Sequence, residues 1–204
     1  MKFDTKNKMT TQINQKEEIK REIVSFAIQE VEKFLKENPN GEFYTFAFDC
    51  DAKDAEINLS FNTEFDFQNT LEFYQNEYSG HYLLEQEIRA LKFRPGKWEY
   101  HCSNTLYVIT EEELDKIFME LSGYEDVNSI FEDDDNEEKP LWKEFLKNLL
   151  ELFTESLVEF TKTETYKKIP KTQDFVAFCI DYKEDFEQAM ERLKMLQPQN
   201  QIDG

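Results

Sequence analysis

The chain has 204 residues, with 44 Asp and Glu against 24 Lys and Arg and a formal net charge of −20. That length suits one domain whose core can stand without metals or disulfides, and the acidic balance excludes direct binding to nucleic acid, whose phosphates it repels. Gly and Pro, five each, are too scarce for a linker-rich, collagen-like or many-turned all-β chain, while 19 Phe, nine Tyr and two Trp forecast a bulky aromatic core.

In chain order, residues 1–14 read as a disordered tail. A first helix is expected over 15–37, where Ile19, Ile23, Phe26, Ala27, Val31, Phe34 and Leu35 recur at helical spacing behind a capping box of Asn14 and Glu17. Asn38-Pro-Asn-Gly41 stops it. Residues 43–49 and 55–61 alternate as strands should, joined by a hairpin turn at 51–54, and the short link makes the pair antiparallel. A helix is expected over 65–78, and 83–91 fits a short helix or a strand. Arg94-Pro-Gly96 is a turn, and 98–107 shows no clear period. Thr110 with Glu113 forms a capping box that opens a helix to about 121. Pro140 starts a long helix over 141–161, with a wide apolar face (Trp142, Phe145, Leu146, Leu149, Phe153, Leu157, Phe160). A third strand covers 175–180, and Asp181 with Glu184 is expected to cap a last helix before a polar tail, 198–204. This order predicts an α+β single domain over 15–197, a small, mainly antiparallel sheet with helices packed largely on one face.

Cys50, Cys102 and Cys179 are odd in number and lack CxxC spacing, which points to free thiols and a reducing, cytoplasmic setting. Residues 1–11 lack the apolar core of a signal peptide, and the apolar stretch 141–160 is broken by charges and cannot span a bilayer. His101-Cys102 are too close in sequence for an ordinary zinc pair. Asp49, Asp51 and Asp54 echo a calcium loop but lack its Gly and distal Glu. No serine sits in a nucleophile elbow, and Gly96-Lys97 lacks the rest of a phosphate loop. No catalytic residue, metal or cofactor is assigned from these patterns.

Two segments stand out. Between Glu111 and Glu138 thirteen carboxylates face a single base, Lys116. This segment contains an acidic loop over 125–139, whose Glu132, Asp133, Asp134, Asp135, Glu137 and Glu138 are candidates for binding a basic protein partner. The second segment runs from Lys92 to His101. Arg94, Trp98, Tyr100 and His101 around its tight turn form either a recognition pocket or a turn pinned to the core by Trp98.

Phe43-Tyr-Thr-Phe-Ala-Phe48, Asn62-Thr-Glu64 and Arg94-Pro-Gly-Lys-Trp-Glu-Tyr-His101 resemble the markers of a bacterial domain-of-unknown-function family, number 4303. The closing strand and the helix after it are also similar to that family's end. The chain departs from the pattern at Phe93, where Trp is expected, and in its acidic insertion. Small acidic bacterial proteins of this kind often resemble immunity proteins that neutralise a toxin encoded beside them. The resulting expectation is a non-enzymatic cytoplasmic binding protein for a basic toxin domain. The alternatives are a small-molecule site or enzyme at Arg94–His101, and a regulatory interaction module.

Overall fold

The apolar stripe of Ile23, Ala27, Val31 and Phe34 is fully or almost fully buried, so the first helix is held by its packing rather than by propensity. A computed structural model describes residues 3–78, 80–123 and 139–196, with side chains from residue 15 onward. Helix α1 spans Phe3–Glu37. It starts ahead of residue 15, so residues 3–14 are helical in backbone rather than a tail, and residues 14–17 stand inside the helix and not at a capping box. The segments 125–138 and 198–204 lie outside the described residues.

Strands β1 (Phe43–Asp51) and β2 (Glu56–Asn62) form the expected antiparallel hairpin. Its register places Phe46 opposite Phe61, Phe48 opposite Leu59 and Cys50 opposite Ile57, which puts all six on one face. Helix α2 (Glu64–Glu77) is capped by Thr63, whose hydroxyl accepts from the Asp66 amide. Residues 83–91 resolve as helix α3 (Glu85–Lys92), followed by a 3₁₀ turn at Pro95–Lys97. The aperiodic stretch holds two short strands, β3 (Tyr100–His101) and β4 (Leu106–Tyr107), both antiparallel to β2. Helix α4 (Glu111–Ser122) carries the predicted Thr110–Glu113 box and ends on Gly123 in the left-handed region, at φ 72°. Helices α5 (Pro140–Thr161) and α6 (Glu164–Lys167) lead to β5 (Lys171–Asp181) and α7 (Phe186–Leu196). The last helix is capped by Asp185 and Gln188, each accepting from the other's amide, while Glu184 accepts from the amide of Asp181 at the end of β5, ahead of the helix.

The five strands are ordered β3-β2-β1-β5, with β4 also on β2. The sheet is mixed. The β3, β4 and β1 pairings to β2 are antiparallel, but β5 lies parallel to β1 because its chain returns from the far end through α5 and α6. The β1–β5 register shifts between Phe43 and Thr45, which turns the side-chain alternation over at that point.

The larger layer, on one face, is formed by α1, α4, α5 and α6 with Phe43, Phe46, Phe48, Leu59 and Phe61. Phe34 stacks on Phe61 at 4.4 Å, and Phe160 lies 5.5 Å from Phe46. The smaller layer, on the opposite face, gathers Tyr44, Ala47, Phe178 and Ile180 beneath Phe67, Leu91, Phe93, Trp98 and Phe186. Its joints are Phe93 stacked on Phe186 at 4.0 Å and Trp98 edge-on to Phe178 at 5.9 Å. The domain is therefore α+β, with most of its helical mass on one face and a second, thinner cover on the other.

Candidate functional site

The segment Arg94–His101 spreads its side chains instead of converging them. Trp98 is 6% exposed, and its Nε1 donates to the Lys92 carbonyl at 3.0 Å, so it pins the turn to the core. Tyr100 turns to the other face of the sheet, edge-on to Phe34 and Phe43. Arg94 is exposed. Of the four candidates Arg94 lines the cleft described below, Trp98 and Tyr100 are turned to opposite faces of the sheet, and Trp98 holds the turn to the core.

His101 uses both ring nitrogens. Nε2 lies 2.9 Å from the Trp98 carbonyl and Nδ1 lies 2.9 Å from Ser60 Oγ. A carbonyl can only accept, so neutral His101 carries its proton on Nε2, and Nδ1 accepts from the Ser60 hydroxyl. A base beside a hydroxyl is half of a nucleophilic site. Ser60, however, is 0% exposed, so no substrate reaches its oxygen and the pair serves to fasten β3 to β2.

Two of the three thiols are equally enclosed, and Cys102 is half-buried. Cys50 and Cys179 lie on adjacent strands with sulfurs 3.6 Å apart, and burial pushes the Cys50 thiol well above its ordinary range. Burial, with Glu30 adding to it, raises Cys102 to about 12. Such thiols are poor nucleophiles at neutral pH. Among the described residues no group of three or more His, Cys, Asp or Glu is arranged to hold a metal ion.

What the sequence did not show is a cleft of about 730 Å³ on the thinner face. Its walls come from α3, the 3₁₀ turn and the loop that leads from β5 into α7, and the sheet supplies Asp49 and Ile180. Phe93, Phe186 and Leu91 form an apolar side, while Tyr82 and Tyr182 stand at the rim. Tyr82 holds a left-handed backbone at φ 57°, a strained state for a bulky residue. Arg94, Lys97 and His81 line the cleft together with Glu87, Asp181, Glu184, Asp185 and Glu187.

Most of these acids already have partners. Glu184 pairs with Arg192, and Glu187 pairs with Arg89 at 3.0 Å. Asp181 accepts from the amides of Ala52 and Lys183. Glu87 accepts from the Leu83 and Leu84 amides, and Asp185 from that of Gln188. Asp49 is the exception, with no hydrogen-bond or ion-pair partner among the described residues. Burial raises its carboxyl to about 6; His101 works against that shift, and the charges of Glu56 and Asp181 add to it.

A second surface is acidic. Helix α4 buries Leu114 and sets Phe118 edge-on to Trp142 at 5.1 Å. Its opposite side exposes Glu111, Glu112, Glu113, Asp115 and Glu120, with Lys116 paired to Glu112 at 2.6 Å. The further candidates Glu132, Asp133, Asp134, Asp135, Glu137 and Glu138 lie outside the described residues.

A mixed open sheet, helices on both faces and a cleft over the thinner one define the class as an α+β domain. The family model described as Domain of unknown function (DUF4303) matches residues 23–198, most of the chain, and the protein belongs to that family. No curated protein and no solved structure matches the chain. No described helix is long and apolar enough to cross a membrane.

Proposed function

We propose that the protein is a non-enzymatic binding protein that takes a basic protein partner on the acidic face of α4 and the segment after it. The observation that carries this reading is the concentration of charge: thirteen carboxylates against one base between Glu111 and Glu138, in a chain whose net charge is −20. An acidic solubility coat would be spread evenly. A concentrated field instead steers a cationic partner and raises its association rate. Helix α4 supports the reading from the structure, because its apolar side packs against the core and its acidic side is left to solvent.

The finer form of the proposal is an immunity protein whose partner is a basic toxin domain. The reading is tested by measuring association of the full chain with the product of the gene next to its own, at low and high salt. Binding that weakens steeply with salt is expected, as is its loss when Asp133, Asp134, Asp135, Glu137 and Glu138 are all changed to Asn or Gln. Unchanged affinity and unchanged salt dependence in that variant would sink the acidic-surface mechanism.

A further inference from the structure

We propose that the cleft over β1 is a binding site for an organic cation, a guanidinium or alkylammonium group whose charge is met by Asp49. The site lies on the face of the sheet opposite α4, and the inference stands or falls separately from the acidic-surface reading.

Three features of the cleft converge on this chemistry. Asp49 comes from β1, a central strand, so its position is set by the sheet and not by a loop. Its carboxyl lines the cleft without a protein partner, whereas the other acids there accept amides or pair with arginines. A half-buried anion left in this state is costly unless something compensates it. The walls suit the rest of such a guest. Phe93, Phe186 and Leu91 line the cleft with apolar surface for a methylene stem, and Tyr82 lines it as well, while the ring of Tyr182 already has the Lys183 ammonium 5.4 Å from its centroid. Arg89 already lies over Phe93 and Phe186, with its carbon 5.4 Å and 4.9 Å from their centroids, which shows that these rings accept a guanidinium.

The charge balance points the same way. Asp49, Glu87, Asp181, Glu184, Asp185 and Glu187 outnumber Arg94, Lys97 and His81 in the lining. The groups that act on Asp49 are His101 from β3, Glu56 from β2 and Asp181 from β5, two of them acids. An entering anion would meet this net negative field, and a neutral guest would leave Asp49 unsatisfied. A cation lowers the energy of the ionised carboxyl, so binding and ionisation are linked. With the carboxyl poised at about 6, a cation entering near that pH displaces the proton from Asp49, whereas at pH 8 there is no proton left to displace.

The test is calorimetry of the full chain with two small probes, agmatine and 1,5-diaminopentane, and with a capped tripeptide carrying arginine in the middle. Each is run at pH 6 and pH 8 in two buffers of different ionisation enthalpy. Saturable binding with proton release at pH 6 and none at pH 8 is expected. Affinity is expected to fall roughly tenfold or more in Asp49→Asn, which loses one charge-assisted contact. Because a chain this acidic attracts cations generally, Glu18→Gln, at an exposed position of α1, is the matched control and is expected to leave affinity within twofold. Binding of the small probes assigns a free amine or guanidine as the guest, and binding of the tripeptide alone assigns an arginine side chain of a partner. Circular dichroism and a thermal melt of Asp49→Asn confirm that it is folded before comparison. If none of the three probes saturates, or if Asp49→Asn binds as wild type does, the proposal is overturned.

Discussion

The Tyr44 hydroxyl donates to the Lys92 carbonyl at 2.7 Å across 48 residues of chain. The same carbonyl accepts from Trp98 Nε1, and the Tyr44 oxygen in turn accepts from Asn62 Nδ2 at 3.1 Å. Helix α3 ends at Lys92 and leaves carbonyls without partners inside the helix, so this pair of donors satisfies one of them. The joint ties β1, β2 and the turn before Trp98 into one unit and forms the back of the thinner layer. Tyr44→Phe keeps the ring among Phe67, Phe93 and Trp98 but leaves the Asn62 amide and half of the Lys92 carbonyl unsatisfied. A loss of about 1–3 kcal/mol is expected, read as a lower urea midpoint with an unchanged slope.

Asp49 makes stability depend on pH in a direction opposite to most carboxylates. Its folded value of about 6 stands above the ordinary 3.8, so between those values the folded state keeps a proton that the unfolded chain has released. The stabilising contribution is complete below about pH 4 and is lost as pH rises through 6. Asp49→Asn removes the dependence. The difference in unfolding free energy between variant and wild type is expected to be near zero at pH 4 and to grow, in the variant's favour, to between about 1 and 3 kcal/mol at pH 7.5. Urea titrations of both proteins across that range measure it, and a variant less stable than wild type at pH 7.5 would contradict the cause given for the shift. An acid that destabilises its own fold at neutral pH is the kind of group that binding sites retain.

Arg192 joins three elements through one guanidinium. Its Nε donates to Thr154 Oγ1 on α5 at 2.8 Å, its Nη2 to the Cys179 carbonyl on β5 at 2.8 Å, and its Nη1 pairs with Glu184. Both charged side chains are largely buried, so removing one leaves the other uncompensated. Arg192→Met is expected to cost about 3 kcal/mol or more. Arg192→Lys recovers only part of this, because an ammonium cannot reproduce the planar fork that reaches all three acceptors. Thermal melts of the three proteins give the order wild type, Lys, Met. A Lys variant as stable as wild type would show that charge alone matters there.

The parts of this fold legible in the sequence were those with a strong local period or cap. The α1 stripe, the β1–β2 hairpin, the Thr110–Glu113 box and the start of α5 at Pro140 all rest on contacts within a few residues of chain. The rest depends on contacts that span the chain. The parallel partnership of β1 with β5 joins residues 131 positions apart, as the Thr45–Val176 hydrogen bond shows, and no local pattern encodes it. The stretch from Tyr100 to Tyr107 looked aperiodic because it touches β2 only at two short points. The cleft was invisible for the same reason. Asp49 reads in the sequence as the polar member of an alternating strand, and only the packing of α3 and the β5–α7 loop above it makes a site there. Trp98, by contrast, is large and flanked by charge, which fits a pocket wall, and those properties serve burial equally well.

Gly41 matters for packing. The sequence Asn38-Pro-Asn-Gly41 reads as a helix stop, which suggests a glycine chosen for backbone freedom. The structure assigns it another task. A Cβ built at Gly41 would run into the ring of Phe43. That ring is fully buried and cannot swing aside, because Phe34 at 5.5 Å, Phe61 at 5.0 Å and Tyr100 at 5.7 Å surround it. Phe43 also marks the point where the β1–β5 register shifts, so displacing it disturbs the junction that sends Phe43 to the thicker layer and Tyr44 to the thinner one. Gly41→Ala is expected to destabilise by about 1–3 kcal/mol, the range for overpacking a closed core. The double variant Gly41→Ala with Phe43→Leu is the discriminating measurement. If the clash with the ring is the cause, the added methyl costs much less in the Phe43→Leu background than in wild type, giving a coupling well above the ~0.5 kcal/mol of independent sites. Equal costs in both backgrounds would place the role of Gly41 in its backbone instead.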